Sequence, residues 1–322
     1  MKKISVSILL FVVSLFIYSC TKDDGTSVEP ARDYSDQYLK DIDSIDKFID
    51  THFMTVDTDY NVTFTEITDE TPGTPIRNNP NLQFKMIDNY DEDGDDFQYK
   101  VYYIKLREGV NERPTRVDSV FASYKGVLAT TTAQFDYAEQ PIWFQLEGVV
   151  RGWSEIFPLF KTGTYDTDEG PNPVTYDNYG AGVMFLPSGL AYYNNSSSSG
   201  TIPAYSNLIF SFKLFELQYK DHDRDGIPSR FEVATQLNSD DSNLDEYNKE
   251  ANFIDYDSDG DEYANMFDID DDADGVQTRG EIILTTNPQT LYPFSGIPDC
   301  SGNTTNPTRI RRHLDASCKP PY

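Results

Sequence analysis

Between Leu208 and Phe215 the chain alternates two sets of residues: Leu208, Phe210, Phe212 and Leu214 on one side, Ile209, Ser211, Lys213 and Phe215 on the other. A period of two is the signature of a strand, and the Leu/Phe side is too apolar to be left in water. A sheet with a covered face is therefore expected here. Upstream, Trp153, Ile156, Phe157 and Phe160 recur at helical spacing. Pro158 should kink or shorten that helix, because it lacks the N–H the helix needs. The rest of 118–218 reads as short strands, giving an α+β core. Before it, 34–117 reads as a helix followed by extended runs at Asn61–Ile67 and Phe97–Leu106. Tyr38, Ile42, Ile45, Ile49 and Phe53 form one helical face, read as core packing.

After Tyr219 the composition turns abruptly to Asp, Gly and Asn, which marks a boundary. Asp221, Asp223, Asp225 and Gly226, with Glu232 further on, fit a loop of alternating carboxylates closed by a bidentate glutamate. With the Ile227 carbonyl, such a loop offers six to eight hard oxygens to a calcium ion. The pattern recurs at Asp270, Asp272, Asp274, Gly275, the Val276 carbonyl and Glu281. Between the two, Asp255, Asp257, Asp259 and Gly260 form a copy whose twelfth position is Met266, to be completed by Asp261 or Asp268. Within the acidic segment 219–290, the run Asp255 to Glu281 resembles thrombospondin type 3 repeats more than paired EF-hands, since the intervening residues are too polar for EF-hand helices. Calcium is expected to order it, because clustered carboxylates repel one another without a cation. The formal charge of −28 points the same way, favouring cations and excluding nucleic acid as a partner.

The amino terminus sets a location. Lys2 and Lys3 precede an apolar run from Ile4 to Tyr18, shorter than a membrane-spanning helix requires, so 1–19 reads as a secretory leader. Ser19-Cys20 resembles a lipobox, making Cys20 the expected lipidation site and 20–33 a flexible tether. Thr21-Lys22-Asp23-Asp24 is similar to the signal that sends many Bacteroidota lipoproteins to the outer face of the outer membrane. The expectation is an outer-membrane lipoprotein facing the cell surface or the periplasm. In such an oxidising compartment, Cys300 and Cys318 are expected to pair and close the tail 291–322, with two free thiols as the alternative.

Within 118–218 six short motifs occur in the order found in the FK506-binding-protein (FKBP) family. They are Ser123-Tyr124-Lys125-Gly126-Val127-Leu128; Phe135-Asp136; Phe144-Gln145-Leu146 leading to Val149-Val150-Arg151-Gly152-Trp153; Pro187-Ser188-Gly189-Leu190-Ala191-Tyr192; Gly200-Thr201-Ile202-Pro203; and Leu208-Ile209-Phe210. The region resembles that family of peptidyl-prolyl cis/trans isomerases. The resemblance implies an antiparallel twisted sheet wrapped over a short helix, with an aromatic pocket between them and no cofactor for catalysis. It puts Trp153 at the pocket floor and Tyr124, Phe135, Phe144, Val149, Val150 and Phe210 around it. It also implies that the Tyr192 hydroxyl and the Ile202 N–H bind substrate carbonyls, with Asp136 at the rim assisting the twisting amide. The partners implied are proline-containing polypeptides, with the membrane reached through the lipid.

Three positions depart from the family pattern: Tyr193 stands where a glycine is usual, Ala204 where a second proline is, and Ile142 where a pocket phenylalanine is. Residues 164–179 look like an insertion, forming a flap over the pocket or a surface loop. No Gly-x-Ser-x-Gly, His-Glu-x-x-His or phosphate-binding loop occurs, so hydrolase and nucleotide chemistry are unsupported. Three readings stay open: an active isomerase, a peptide-binding module with little turnover, and a calcium-dependent structural surface protein.

Overall fold

The computed structural model describes residues 30–89, 97–166, 174–195, 200–233, 256–284 and 289–320. The leader with Cys20, Asp255 and the middle of the 164–179 insertion lie outside them. The described residues from Asp33 onward belong to one compact unit. Among the described residues no helix is long and apolar enough to cross a membrane.

The helix expected after Ser35 is α1 (Tyr34–Thr51). Asp33 caps it, its carboxylate accepting from the Asp36 N–H at 2.9 Å. It ends two residues before Phe53, which the apolar stripe had included. His52 turns extended, and Phe53 belongs to β1 (His52–Val56). That strand pairs with β2 (Val62–Glu66) in a hairpin.

Six strands build the main sheet: β3 (Leu82–Asp88), β4 (Gln98–Arg107), β5 (Ser119–Leu128), β6 (Gln134–Gln145), β9 (Gly180–Leu186) and β10 (Leu208–Gln218). Two-residue strands β7 (Thr164–Tyr165) and β8 (Tyr176–Asp177) pair with each other at the insertion. The main sheet is antiparallel throughout, in the order β3-β4-β9-β10-β5-β6. This is the expected α+β class. Residues 34–117, read from the sequence as a helix and an extension of the core domain, supply two strands of its sheet.

Both faces of the sheet are covered. The Leu208, Phe210, Phe212 and Leu214 side packs on Trp153, Ile156, Phe157 and Phe160. The opposite side, Ile209 with Val183 and Phe185 of β9, packs on Ile45, Phe48 and Ile49 of α1. β9 is accordingly buried along its whole length, as a central strand between two layers must be. The short helix α2 (Arg151–Ile156) gives way at Phe157 to a single 3₁₀ turn with Pro158 near its start, the shortening that proline imposes. Glu155 anchors α2, receiving Lys85 Nζ at 2.8 Å and Arg116 at 2.7 Å. Burial pushes its carboxyl up, but those cations outweigh burial and hold it below its ordinary value.

Beyond β10 the described residues form three acidic loops, the one-turn helix α3 (Thr278–Glu281) and the pair β11 (Ile283–Leu284) and β12 (Thr290–Leu291). A disulfide joins Cys300 to Cys318, with 5.4 Å between their Cα atoms.

Candidate functional site

A cavity of about 390 Å³ opens between α2 and the β5-β6-β10 side of the sheet. Trp153 is buried among the rings. Its indole lies 5.0 Å from Tyr124, 5.2 Å from Phe144 and 5.2 Å from Phe210, each meeting it edge to face. Phe135 extends the wall, 5.5 Å from Phe210. Gly126 makes room for it, because a Cβ there would lie 2.5 Å from the Phe135 ring and 2.9 Å from Phe210. Gly148, Val149 and Val150 close one side, and Tyr192 and Asp136 stand at the opening.

Polar groups are few and specifically held. The Tyr124 hydroxyl donates to Asp136 Oδ2 at 2.6 Å, and the Tyr137 N–H donates to Asp136 Oδ1 at 2.8 Å. The carboxylate is thereby fixed in orientation. Burial, and then that bond to Asp136, push the Tyr124 phenol well above its ordinary value. Burial also raises Tyr192, helped by the Asp136 charge. Among the described residues the Tyr192 hydroxyl has no hydrogen-bond partner, and neither has the buried Trp153 Nε1.

The structure thus brings Tyr124, Phe135, Asp136, Phe144, Val149, Val150, Trp153, Tyr192 and Phe210 to one cavity. Ile202 differs: its side chain is buried in the core cluster beside Trp153 and is not part of the lining. None of the three departures lines the cavity. Ile142 sits on β6, an edge strand, 46% exposed. Tyr193 takes φ +48, the left-handed conformation that explains a glycine at this place. Here the tyrosine stacks on Tyr34 at 4.0 Å and meets Tyr205 edge-on at 5.1 Å.

One residue that positions the rim was missed. Asp41, buried on α1, accepts from the Ser188 N–H at 2.8 Å and Ser188 Oγ at 2.6 Å, while Gln37 donates to its other oxygen at 2.7 Å. This fixes the turn that leads to Tyr192. The available signal was Gln37 and Asp41, four residues apart in line with the apolar face.

Among the described residues the acidic segment holds three loops of one design. Each first carboxylate (Asp221, Asp257, Asp270) accepts from the N–H five residues on, at 3.2, 2.9 and 3.0 Å. Each second residue's N–H donates to the side chain of the ninth: His222 to Ser229 at 3.0 Å, Ser258 to Asn265 at 2.8 Å and Asp271 to Thr278 at 3.1 Å. Positions 4 and 6 have positive φ in every loop: Arg224 and Gly226, Gly260 and Glu262, Ala273 and Gly275.

This corrects the middle copy. Its frame begins at Asp257, and its alternating carboxylates are Asp257, Asp259 and Asp261, with Asp268 twelfth. Asp255, outside the described residues, precedes that frame. Gly260 fills position 4, which the sequence had assigned to position 6.

Carboxylate oxygens cluster within 4.8 Å in four sets: Asp221/Asp223/Asp225, Asp223/Glu232/Asp271, Asp257/Asp259/Asp261 and Asp270/Asp272/Asp274. Burial first, then neighbouring carboxylates, push Asp223 up to about 8, and burial takes Asp225 to about 7. Many of these oxygens lack a hydrogen-bond donor among the described residues, including Asp221 Oδ1, Asp223 Oδ2, Asp225 Oδ2, Asp270 Oδ1 and Asp274 Oδ2. Buried oxygens without donors suit a hard cation.

The loops dock against the cavity's wall. His222 meets Glu147 at 3.1 Å, two residues before Val149, and the Lys220 N–H donates to the buried Asp118 at 3.2 Å.

Comparison with known proteins places two likenesses on these two regions. A family model described as BamM C-terminal matches residues 222–307, the acidic loops and part of the tail. A probable FKBP-type peptidyl-prolyl cis-trans isomerase FkpA of Neisseria meningitidis serogroup B is 28% identical over 123 residues, 37% of this chain and 37% of that protein. The chain therefore aligns with little more than a third of that relative's length.

Among solved structures, a peptidyl-prolyl cis-trans isomerase from Pseudomonas syringae pv. tomato aligns with TM-score 0.35 and 16% identity, covering 59% of this chain and 99% of that one. FkpA from Escherichia coli aligns with TM-score 0.29 and 27% identity, covering 37% and 48%. The N-terminal domain of FKBP42 from Arabidopsis thaliana aligns with TM-score 0.31 and 16% identity, covering 40% and 95%. The chain is similar to FKBP-type isomerases.

Proposed function

We propose that the aromatic cavity binds X-Pro segments of exported or surface polypeptides and catalyses their cis/trans isomerisation. The observation that carries this reading is the convergence of Trp153, Tyr124, Phe144 and Phe210 around one opening that also presents Asp136 and Tyr192. Peptide rotation is slow because the planar amide is stabilised by charge-separating resonance, with a barrier of about 18–20 kcal/mol. For X-Pro the two isomers lie within about 1 kcal/mol of each other, yet exchange takes tens to hundreds of seconds.

No nucleophile is needed. A cavity with few polar groups withdraws water from the planar amide and accepts the less polar twisted form. Tyr192 holds a substrate carbonyl, and Asp136, fixed by Tyr124, faces the twisting bond. A barrier lowered by roughly 5–7 kcal/mol gives about four to five decades of rate. The test is refolding of a protein limited by a proline bond. Catalytic amounts of this chain are expected to accelerate the slow phase, and an unchanged slow phase would count against the reading.

The acidic loops, in the same reading, bind calcium as a structural ion. The donor-free oxygens at Asp221, Asp223, Asp225, Asp270 and Asp274 support it, with Asp257, Asp259 and Asp268 in the middle loop and the carbonyls of Ile227 and Val276 as further ligands. Cys20 carries the lipid that holds the chain at the outer membrane, a proposal that rests on the leader and lipobox alone.

A further inference from the structure

Asp271 belongs to none of the alternating carboxylate series. It is the second residue of the third loop, between Asp270 and Asp272, and the equivalent residues of the other loops, His222 and Ser258, are not carboxylates. Its side chain nevertheless lies with those of Asp223 and Glu232, ligand positions 3 and 12 of the first loop, all within 4.8 Å. Asp271 is 2% exposed and Glu232 is 4% exposed. All four of their carboxylate oxygens lack a hydrogen-bond partner among the described residues.

Two buried carboxylates facing each other without donors are strongly unfavourable unless one takes up a proton or a cation lies between them. Asp223 also belongs to the Asp221/Asp223/Asp225 set, so the two groups of carboxylates share one residue.

The arrangement around Asp271 holds it there. Its N–H donates to Thr278 Oγ1 at 3.1 Å, and its carbonyl accepts from the Ser258 hydroxyl. The first and third loops also touch without any ion. Arg279 donates to the carbonyls of Arg224 at 3.4 Å and Asp225 at 3.3 Å, and Ile227 packs with Ile282.

We propose that the first loop is completed by Asp271 of the third, so that one hard divalent cation, calcium by its all-oxygen shell, binds both loops and clasps 221–232 to 270–281. The proposal rests on the calcium reading above and adds a shared ligand to it.

The experiment uses the full chain in detergent, titrated with calcium and followed by hydrogen exchange in peptides covering 221–232 and 269–281. In the unmodified chain both segments are expected to gain protection together. Asp271→Asn is expected to lose the calcium-induced protection at 221–232 while keeping it at 269–281. Asp271→Ser should do the same, and it is the replacement that Ser258 already makes at this loop position, which guards against a misfolded variant. Protection at 221–232 unchanged in both variants, but lost in Asp223→Asn, would overturn the shared ligand and leave calcium binding by separate loops standing. Calcium protecting neither segment of the unmodified chain would overturn the calcium reading itself.

Discussion

Tyr124 and Tyr192 differ in what their hydroxyls are committed to. Tyr124 is bonded to Asp136, whereas Tyr192 is 44% exposed at the opening and has no partner among the described residues. Tyr192→Phe is therefore expected to leave stability unchanged and weaken substrate handling by about 0.5–1.5 kcal/mol, the net value of one hydrogen bond. Isothermal titration with an X-Pro peptide measures it, and an unchanged affinity would put the hydroxyl outside the site.

A second residue-scale prediction concerns His313, which is buried in the tail with its pKa lowered from 6.5 to about 3, by burial first and then by Arg311 and Arg312. The unfolded chain binds the proton more readily than the folded one between those values. Stability should therefore fall as pH drops from about 6.5 towards 3, by about 1.4 kcal/mol for each pH unit at most. Denaturant titrations of the native chain and His313→Gln across that range would reveal it as a shallower slope in the variant.

At this scale the cavity was legible because its residues are large, aromatic and fixed in order. The Ile202 side chain packs in the core, and the part expected of Ile202 at the site was its backbone N–H, which side-chain burial leaves untouched.

Among the elements, α1 reaches the candidate site through one carboxylate. Asp41→Ala would leave the buried Ser188 N–H without its acceptor and should cost about 1–3 kcal/mol. A chemical denaturation midpoint decides this, and no loss would mean that the Ser188 turn is held by other contacts. Helices α1 and α2 and the β10 pattern were readable from periodicity. β1 was not, because its alternate residues carry no clear apolar side; in β3 the alternation of Leu82, Phe84 and Met86 with Gln83 and Lys85 was a usable signal that was passed over. Nor was the second covered face readable, since Ser211 and Lys213 interrupt it in β10.

The middle loop was misframed for a conformational reason. Asp255, Asp257, Asp259 and Asp261 alternate evenly, so spacing permits two frames. The choice lies in which residues take positive φ, and Glu262 at φ +79 gives no sign of that in its side chain. Glu262→Gly should relieve this left-handed backbone and stabilise the loop by roughly 1 kcal/mol. A melting temperature unchanged or lowered would speak against the frame beginning at Asp257.

For the molecule as a whole, the sheet and the acidic loops form one unit joined at Asp118–Lys220, Glu147–His222 and the Val117–Val233–Met266 cluster. Chelating calcium should expose 256–284 to protease before the sheet yields. Simultaneous cleavage of both would indicate that the loops hold no ion of their own. The central claim concerns the cavity, and exchange spectroscopy by NMR on a short X-Pro peptide tests it most directly. Substoichiometric chain is predicted to produce cis/trans exchange cross-peaks that vanish with Trp153→Leu while the variant's circular dichroism stays native. Absence of those cross-peaks with the folded, unsubstituted chain would contradict it.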